Sequence, residues 1–115
     1  MEKVIKPLWG WYKVLSKKRT KGHKVKYLYI KPNKSLSNQR HFKRSEHWFI
    51  LEGQLNIHLV TPQGIEMSID LDTGDSLDIP VGTWHKPNNR TDKHCLVLEI
   101  QTGEECIEED IERKV

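Results

Sequence analysis

Long apolar runs are missing from this sequence. No stretch approaches the ~18 consecutive apolar residues of a membrane-spanning helix, and residues 1–7 lack the apolar region and cleavage site of a secretory signal. A cytoplasmic protein with no membrane partner is therefore expected. Cysteine is scarce: Cys95 and Cys106 are the only two, with no Cys-x-x-Cys spacing. That excludes a disulfide framework and leaves both as buried or idle thiols. A strong charge of one sign is also lacking. The net charge is +3, and lysine and arginine are scattered apart from a short basic run at 17–21. That run reads as a solvated loop, so a nucleic-acid partner is not expected. Internal repeats and low-complexity linkers are absent, and helix signals are few.

What is present is ordinary globular material, 36% hydrophobic and 30% charged over 115 residues. This is enough to bury a core without staples, so one domain covering residues 1–115 is expected. Segments 24–30, 54–60 and 65–71 alternate, and 48–51, 76–80 and 94–101 are short strand cores. Turn signals separate them: Lys31-Pro32-Asn33-Lys34, Glu52-Gly53, Thr61-Pro62-Gln63-Gly64 and Asp72-Thr73-Gly74-Asp75. Strands of this length, with a turn roughly every 8 to 12 residues, predict an all-β barrel or sandwich. The acidic tail, residues 104–113, is the one helix-like piece, and a short helical turn is expected there.

The chemistry concentrates in residues 37–48. Side chains two apart on a strand share a face, so Ser37, Gln39 and His41 point together. Glu46 can return beside them from the next strand, with Arg44 and Trp48 on its side. His85 follows Pro80-Val81-Gly82-Thr83-Trp84, where a tight turn would aim it at the same point. Two imidazoles, a carboxylate and an amide oxygen would then converge around a divalent ion, Zn²⁺ first, with Fe²⁺, Mn²⁺, Ni²⁺ or Co²⁺ as alternatives. Spacing alone equally allows these to be polar groups on a barrel rim.

The spacing Gln39-x-His41-x4-Glu46-x6-Gly53 resembles the first cupin motif, with glutamine in place of its leading histidine and Asn33 where the motif opens with glycine. Gly74-x5-Pro80-x-Gly82-x2-His85-x3-Asn89 resembles the second. Further blocks extend the likeness over nearly the whole chain: residues 6–12, Ser37 to Trp48, Ile79 to His85, Glu99 to Gly103 and Glu108 to Arg113. Together they resemble the cupin domain of type II phosphomannose isomerases, usually found behind a mannose-1-phosphate guanylyltransferase domain. The resemblance implies a double-stranded β-helix (a jelly-roll barrel) and a Gln-His-Glu-His metal set at Gln39, His41, Glu46 and His85. It also implies interconversion of mannose 6-phosphate and fructose 6-phosphate through a cis-enediol. The departures are the absent nucleotidyltransferase domain, Phe42-Lys43 in place of a His-rich stretch, an extra Leu8, and Lys86 where arginine is common.

Within this reading Arg44 stabilises oxyanion charge or grips phosphate, and Lys86 is a phosphate contact. Ser37 hydrogen-bonds sugar or a metal ligand. The resemblance places the tail near the site mouth, so Glu109 and Arg113, four apart on a helical turn, join Arg44 as catalytic candidates. His47 is prominent in the family motif, but parity turns it away from Glu46 toward a structural role. A sugar phosphate is the expected small-molecule partner and a homodimer the expected assembly. The competing reading is a non-catalytic or differently catalytic cupin that binds a sugar, nucleotide-sugar or small acid, since the barrel alone does not decide function.

Overall fold

In the computed structural model, residues 4–17 and 22–114 are described. They form eleven strands and no helix: β1 (Val4–Ile5), β2 (Gly10–Lys17), β3 (Gly22–Ile30), β4 (Asn38–Arg40), β5 (Arg44–Glu52), β6 (Leu55–Val60), β7 (Glu66–Leu71), β8 (Ser76–Ile79), β9 (Trp84–Asn88), β10 (Cys95–Gly103) and β11 (Glu112–Lys114). One sheet runs β1-β2-β3-β10-β5-β8 and the other β11-β4-β9-β6-β7. Neighbours pair antiparallel throughout, which is the expected jelly-roll barrel. The basic run expected as a loop falls largely at 18–21, outside the described residues.

Period-2 burial places the core between the sheets. Leu28, Ile30, Trp48, Ile50, Cys95 and Val97 face inward from the first sheet against Leu55, Ile57, Leu59 and Leu71 of the second. Each such side chain contributes about 1.5–3 kcal/mol by leaving water. The outward positions of the first sheet are also apolar in good part: Val25, Tyr27, Tyr29, Phe49, Leu98 and Ile100 are half-buried. Trp11, Tyr29 and His94 stack in series there, with centroids 5.4 and 5.0 Å apart.

The tail corrects one expectation. Residues 104–113 form no helix. A turn at 108–109 leads into β11, which pairs with β4, placing Arg113 opposite Gln39. Tertiary pairing at a sheet edge overrides the weak helical propensity of an acidic stretch. Asn33 occupies the left-handed region at φ 59°, the conformation its place in the first motif requires. Asn89, the last fixed position of the second motif, staples that turn region: its Nδ2 donates to the carbonyls of Ile30, Lys31 and Lys93.

Candidate metal centre

The site grows out of strand register. β10 lies between β3 and β5, so Glu99 faces Lys26 on one side and Trp48 on the other, and Gln101 faces Lys24 and Glu46. All six side chains sit on the inward face, at the end of the barrel where the apolar core gives way to polar groups. From the opposite sheet, Gln39 on β4 pairs with His85 on β9.

His41, Glu46 and His85 are buried, and their ligand atoms all lie within 4.8 Å of one another. Glu46 Oε2 is 3.1 Å from His41 Nε2, and Oε1 is 3.6 Å from His85 Nε2. Both rings are fixed by their other nitrogen. His41 Nδ1–H donates to the Asp110 carbonyl at 2.6 Å, and His85 Nδ1–H donates to the Thr83 carbonyl at 3.0 Å. Each Nε2 is thereby turned toward the carboxylate, the orientation that outer partners impose on metal-ligating histidines. The backbone adds a further hold: Gly82 N–H donates to the His41 carbonyl at 2.8 Å, from a glycine at φ 77° that other residues adopt only with strain.

The electrostatics suit a cation. Burial holds the His85 imidazole below its ordinary value, only partly offset by Glu46, so it is a neutral ligand near pH 7. Burial alone would raise Glu46, but the His41 hydrogen bond and the nearby His85 hold it well below the carboxylate range. Arg44 Nε and Nη2 each lie 3.0 Å from Glu46 Oε2, and Trp48 Nε1–H donates to Oε1 at 2.9 Å. Burial and the Glu46 charge push Glu99 well above its usual range, so it stays protonated and hydrogen-bonds to Glu46. Two imidazole nitrogens and one carboxylate fit a divalent ion such as zinc. Gln39, oriented by donating Nε2–H to Ser37 Oγ at 2.9 Å, stands beside them for a fourth contact.

A cavity of about 390 Å³ opens beside this cluster, and Ser37, Gln39, Arg44, Glu46, His85 and Arg113 all line it. Of the residues singled out from sequence, His41 is buried in the cluster without lining the cavity, and two lie away from it. Lys86 is exposed on the outer face of β9, where strand alternation turns it away from its neighbour His85. Glu109 is exposed on the turn before β11, because the helix that would have placed it beside Arg113 does not form. His47 also faces outward, as its parity predicts, and pairs with Asp78.

The sequence reading missed Lys24, Lys26, Glu99, Glu108 and Asp110. Asp110 clamps the turn that carries His41: its carboxylate accepts from the Phe42 and Lys43 N–H groups at 2.9 Å each, while its carbonyl holds the His41 ring. Glu108 reaches over the mouth to Lys24 at 3.1 Å and Lys26 at 3.1 Å. The signal was there in Lys24-x-Lys26 and Glu99-x-Gln101, polar pairs at alternate positions of otherwise apolar strands.

Burial would raise Glu108, but Lys26 and Lys24 outweigh it and hold the carboxyl at about 2. A depressed carboxylate adds stability above its unfolded pKa, near ~4.3, and loses it as pH falls through the folded value. Urea unfolding of wild type and Glu108→Gln should therefore differ at pH 6 and converge as pH drops from ~4.3 toward 2. A difference that persists undiminished at pH 2 would contradict the pairing.

Comparison with known proteins follows the same lines. The sequence model of the family described as "Mannose-6-phosphate isomerase C-terminal" matches residues 1–114. A mannose-1-phosphate guanylyltransferase of Sinorhizobium fredii is 33% identical over 110 residues, 96% of this chain and 20% of that protein. The xanthan biosynthesis protein XanB of Xanthomonas campestris is 32% identical over 111 residues, 96% of this chain and 22% of the relative. The chain thus spans about a fifth of the length of these curated relatives. Among solved structures, the capsular polysaccharide assembling protein CapF of Staphylococcus aureus superposes with a TM-score of 0.83 at 18% identity, covering 98% of this chain and 34% of that one. That likeness supports the cupin fold alone. The relatives' names correct the expected function: they describe guanylyl transfer and polysaccharide synthesis, not interconversion of mannose 6-phosphate and fructose 6-phosphate. The isomerase assignment is therefore withdrawn for this chain.

Proposed function

Because the chain belongs to the family described as "Mannose-6-phosphate isomerase C-terminal", we propose that it is a metal-holding cupin domain that binds a sugar or nucleotide-sugar of polysaccharide-precursor synthesis. The observation that carries the reading is the buried His41–Glu46–His85 cluster, with both Nε2 atoms facing the carboxylate and a cavity beside it. His41, Glu46, His85 and Gln39 would hold one zinc ion. When bound, the ion supplies a Lewis acid that polarises a sugar oxygen.

The chain's own residues define the rest. Arg44 is locked between the Glu46 carboxylate and the Ile107 carbonyl at 2.9 Å, so it presents a fixed positive charge to the cavity. Arg113, brought opposite Gln39 by the β4–β11 pairing, adds a second from the other wall. Ser37 offers a hydroxyl beside Gln39. Trp9 and Tyr12, 6.2 Å apart and stacked, line the apolar side where a sugar face can lie.

The same reading carries two wider expectations. Among the described residues no helix is long and apolar enough to cross a membrane, and two free cysteines suit a reducing cytoplasm. The apolar outer face of the six-stranded sheet suits a homodimer. At ~4.8 Å per strand and ~3.3 Å per residue, the 41 residues of its six strands offer on the order of 650 Å², near the lower end of one partner's share in a standard interface.

Equilibrium dialysis of the zinc-loaded protein against mannose 1-phosphate and a guanosine-diphosphate sugar tests the proposal. Saturable binding of at least one, lost on chelation of the metal, is expected. Absence of saturable binding by the loaded protein for both would overturn it.

A further inference from the structure

Lys24 and Lys26 are an unusual pair to find inside a barrel. Their side chains are only 8% and 7% exposed, yet the carboxylate they share, Glu108, is 51% exposed and sits on the 108–109 turn rather than on a strand. Buried ammonium groups require an anion, and this one is supplied by an exposed turn at the mouth. Lys26 also lies 4.7 Å from the centroid of the Tyr12 ring, so its stem and head are held in place from the apolar side. It faces the same cavity as the metal cluster, Arg44 and Arg113.

The charges there are unequal. Lys26, Arg44 and Arg113 line the cavity with Glu46, Glu99 and Glu108, and Lys24 joins them through Glu108. Glu46 is already committed to Arg44 and the two histidines. Glu108 is the carboxylate that both lysines bond, and the cavity beside them also carries Arg44 and Arg113.

We propose that the Lys24–Lys26 pair is the seat for the phosphoryl group of the sugar ligand, and that Glu108 is its resident stand-in, expelled from the seat when the ligand enters. The Glu108 carboxylate accepts from both ammonium groups, from Lys24 at 3.1 Å and from Lys26 at 3.1 and 3.3 Å. A phosphoryl group offers three oxygens and up to two charges to the same donors, so it outcompetes a single carboxylate. Expulsion moves only a turn whose backbone is already at the surface. The inference rests on the proposal that the cavity takes a sugar derivative, and it names the group by which that derivative is held.

Inorganic phosphate is the probe, titrated calorimetrically into wild type, Glu108→Gln, and Glu108→Gln combined with Lys26→Met. Removing the internal competitor should tighten phosphate binding by at least about tenfold, and removing Lys26 should reverse the gain. Equal phosphate affinity in wild type and Glu108→Gln overturns the inference, as does a gain that survives loss of Lys26. Should Glu108→Gln not fold, Lys24→Met and Lys26→Met in the otherwise intact protein serve instead. Each should reduce the phosphate-induced rise in melting temperature, and an undiminished rise overturns the seat. Metal content of the same samples separates the two proposals. Normal metal with phosphate binding insensitive to these residues removes the phosphoryl seat alone. Missing metal with phosphate binding that responds removes the metal centre alone.

Discussion

His41→Ala and His85→Ala are each expected to purify with less than about a tenth of the wild-type metal content. Each histidine supplies one of three donors that all lie within 4.8 Å of one another. Losing even an outer partner of such a ligand costs 10- to 100-fold in affinity, so losing the ligand itself costs more. Gln39→Ala should fall by less, because a neutral amide oxygen is the weakest donor of the set. Inductively coupled plasma mass spectrometry on the purified variants reads the result directly. Circular dichroism checks that each remains folded, as is expected from the small part these rings play in the apolar core. Full metal occupancy in either histidine variant would remove the centre as drawn.

Asp110→Ala should be the most damaging change outside the metal ligands. It removes two part-buried charge-assisted hydrogen bonds, from the N–H groups of Phe42 and Lys43, at a combined cost of about 3 kcal/mol. Those bonds fix the turn that carries His41 and keep the Asp110 carbonyl against the His41 ring, so metal affinity should fall about 10- to 100-fold as well. Asp110→Asn retains an acceptor for one of the two N–H groups and should lie between wild type and alanine in both measurements. Urea denaturation paired with a competitive zinc titration separates the effects. A variant that loses stability but binds zinc as wild type does would show that the clamp serves the fold and not the site.

The strands that carry the barrel were legible because their alternation and turns are local properties. Residues 54–60 and 65–71 announce the hairpin of β6 and β7, and the two cupin motifs placed His41, Glu46 and His85 before any geometry was known. What local pattern leaves open is phase and partnership. Residues 24–30 alternate whichever face turns inward, since Val25, Tyr27 and Tyr29 are as apolar as Leu28 and Ile30. The barrel turns the even positions in, which buries Lys24 and Lys26. That placement is tolerable only because Glu108, 82 positions from Lys26, comes back over the mouth. Helical spacing would set Glu109 beside Arg113, but the segment is a turn and an edge strand. The difference of one residue decides which carboxylate faces the cavity.

X-ray absorption at the metal edge of the zinc-loaded wild-type protein tests the central claim most directly. The site as described predicts two imidazole nitrogens at about 2.0–2.1 Å, the remaining shell filled by oxygen, and no sulfur. A sulfur scatterer near ~2.3 Å, which only the thiols or methionines of the chain could supply, or a shell without imidazole, would contradict it.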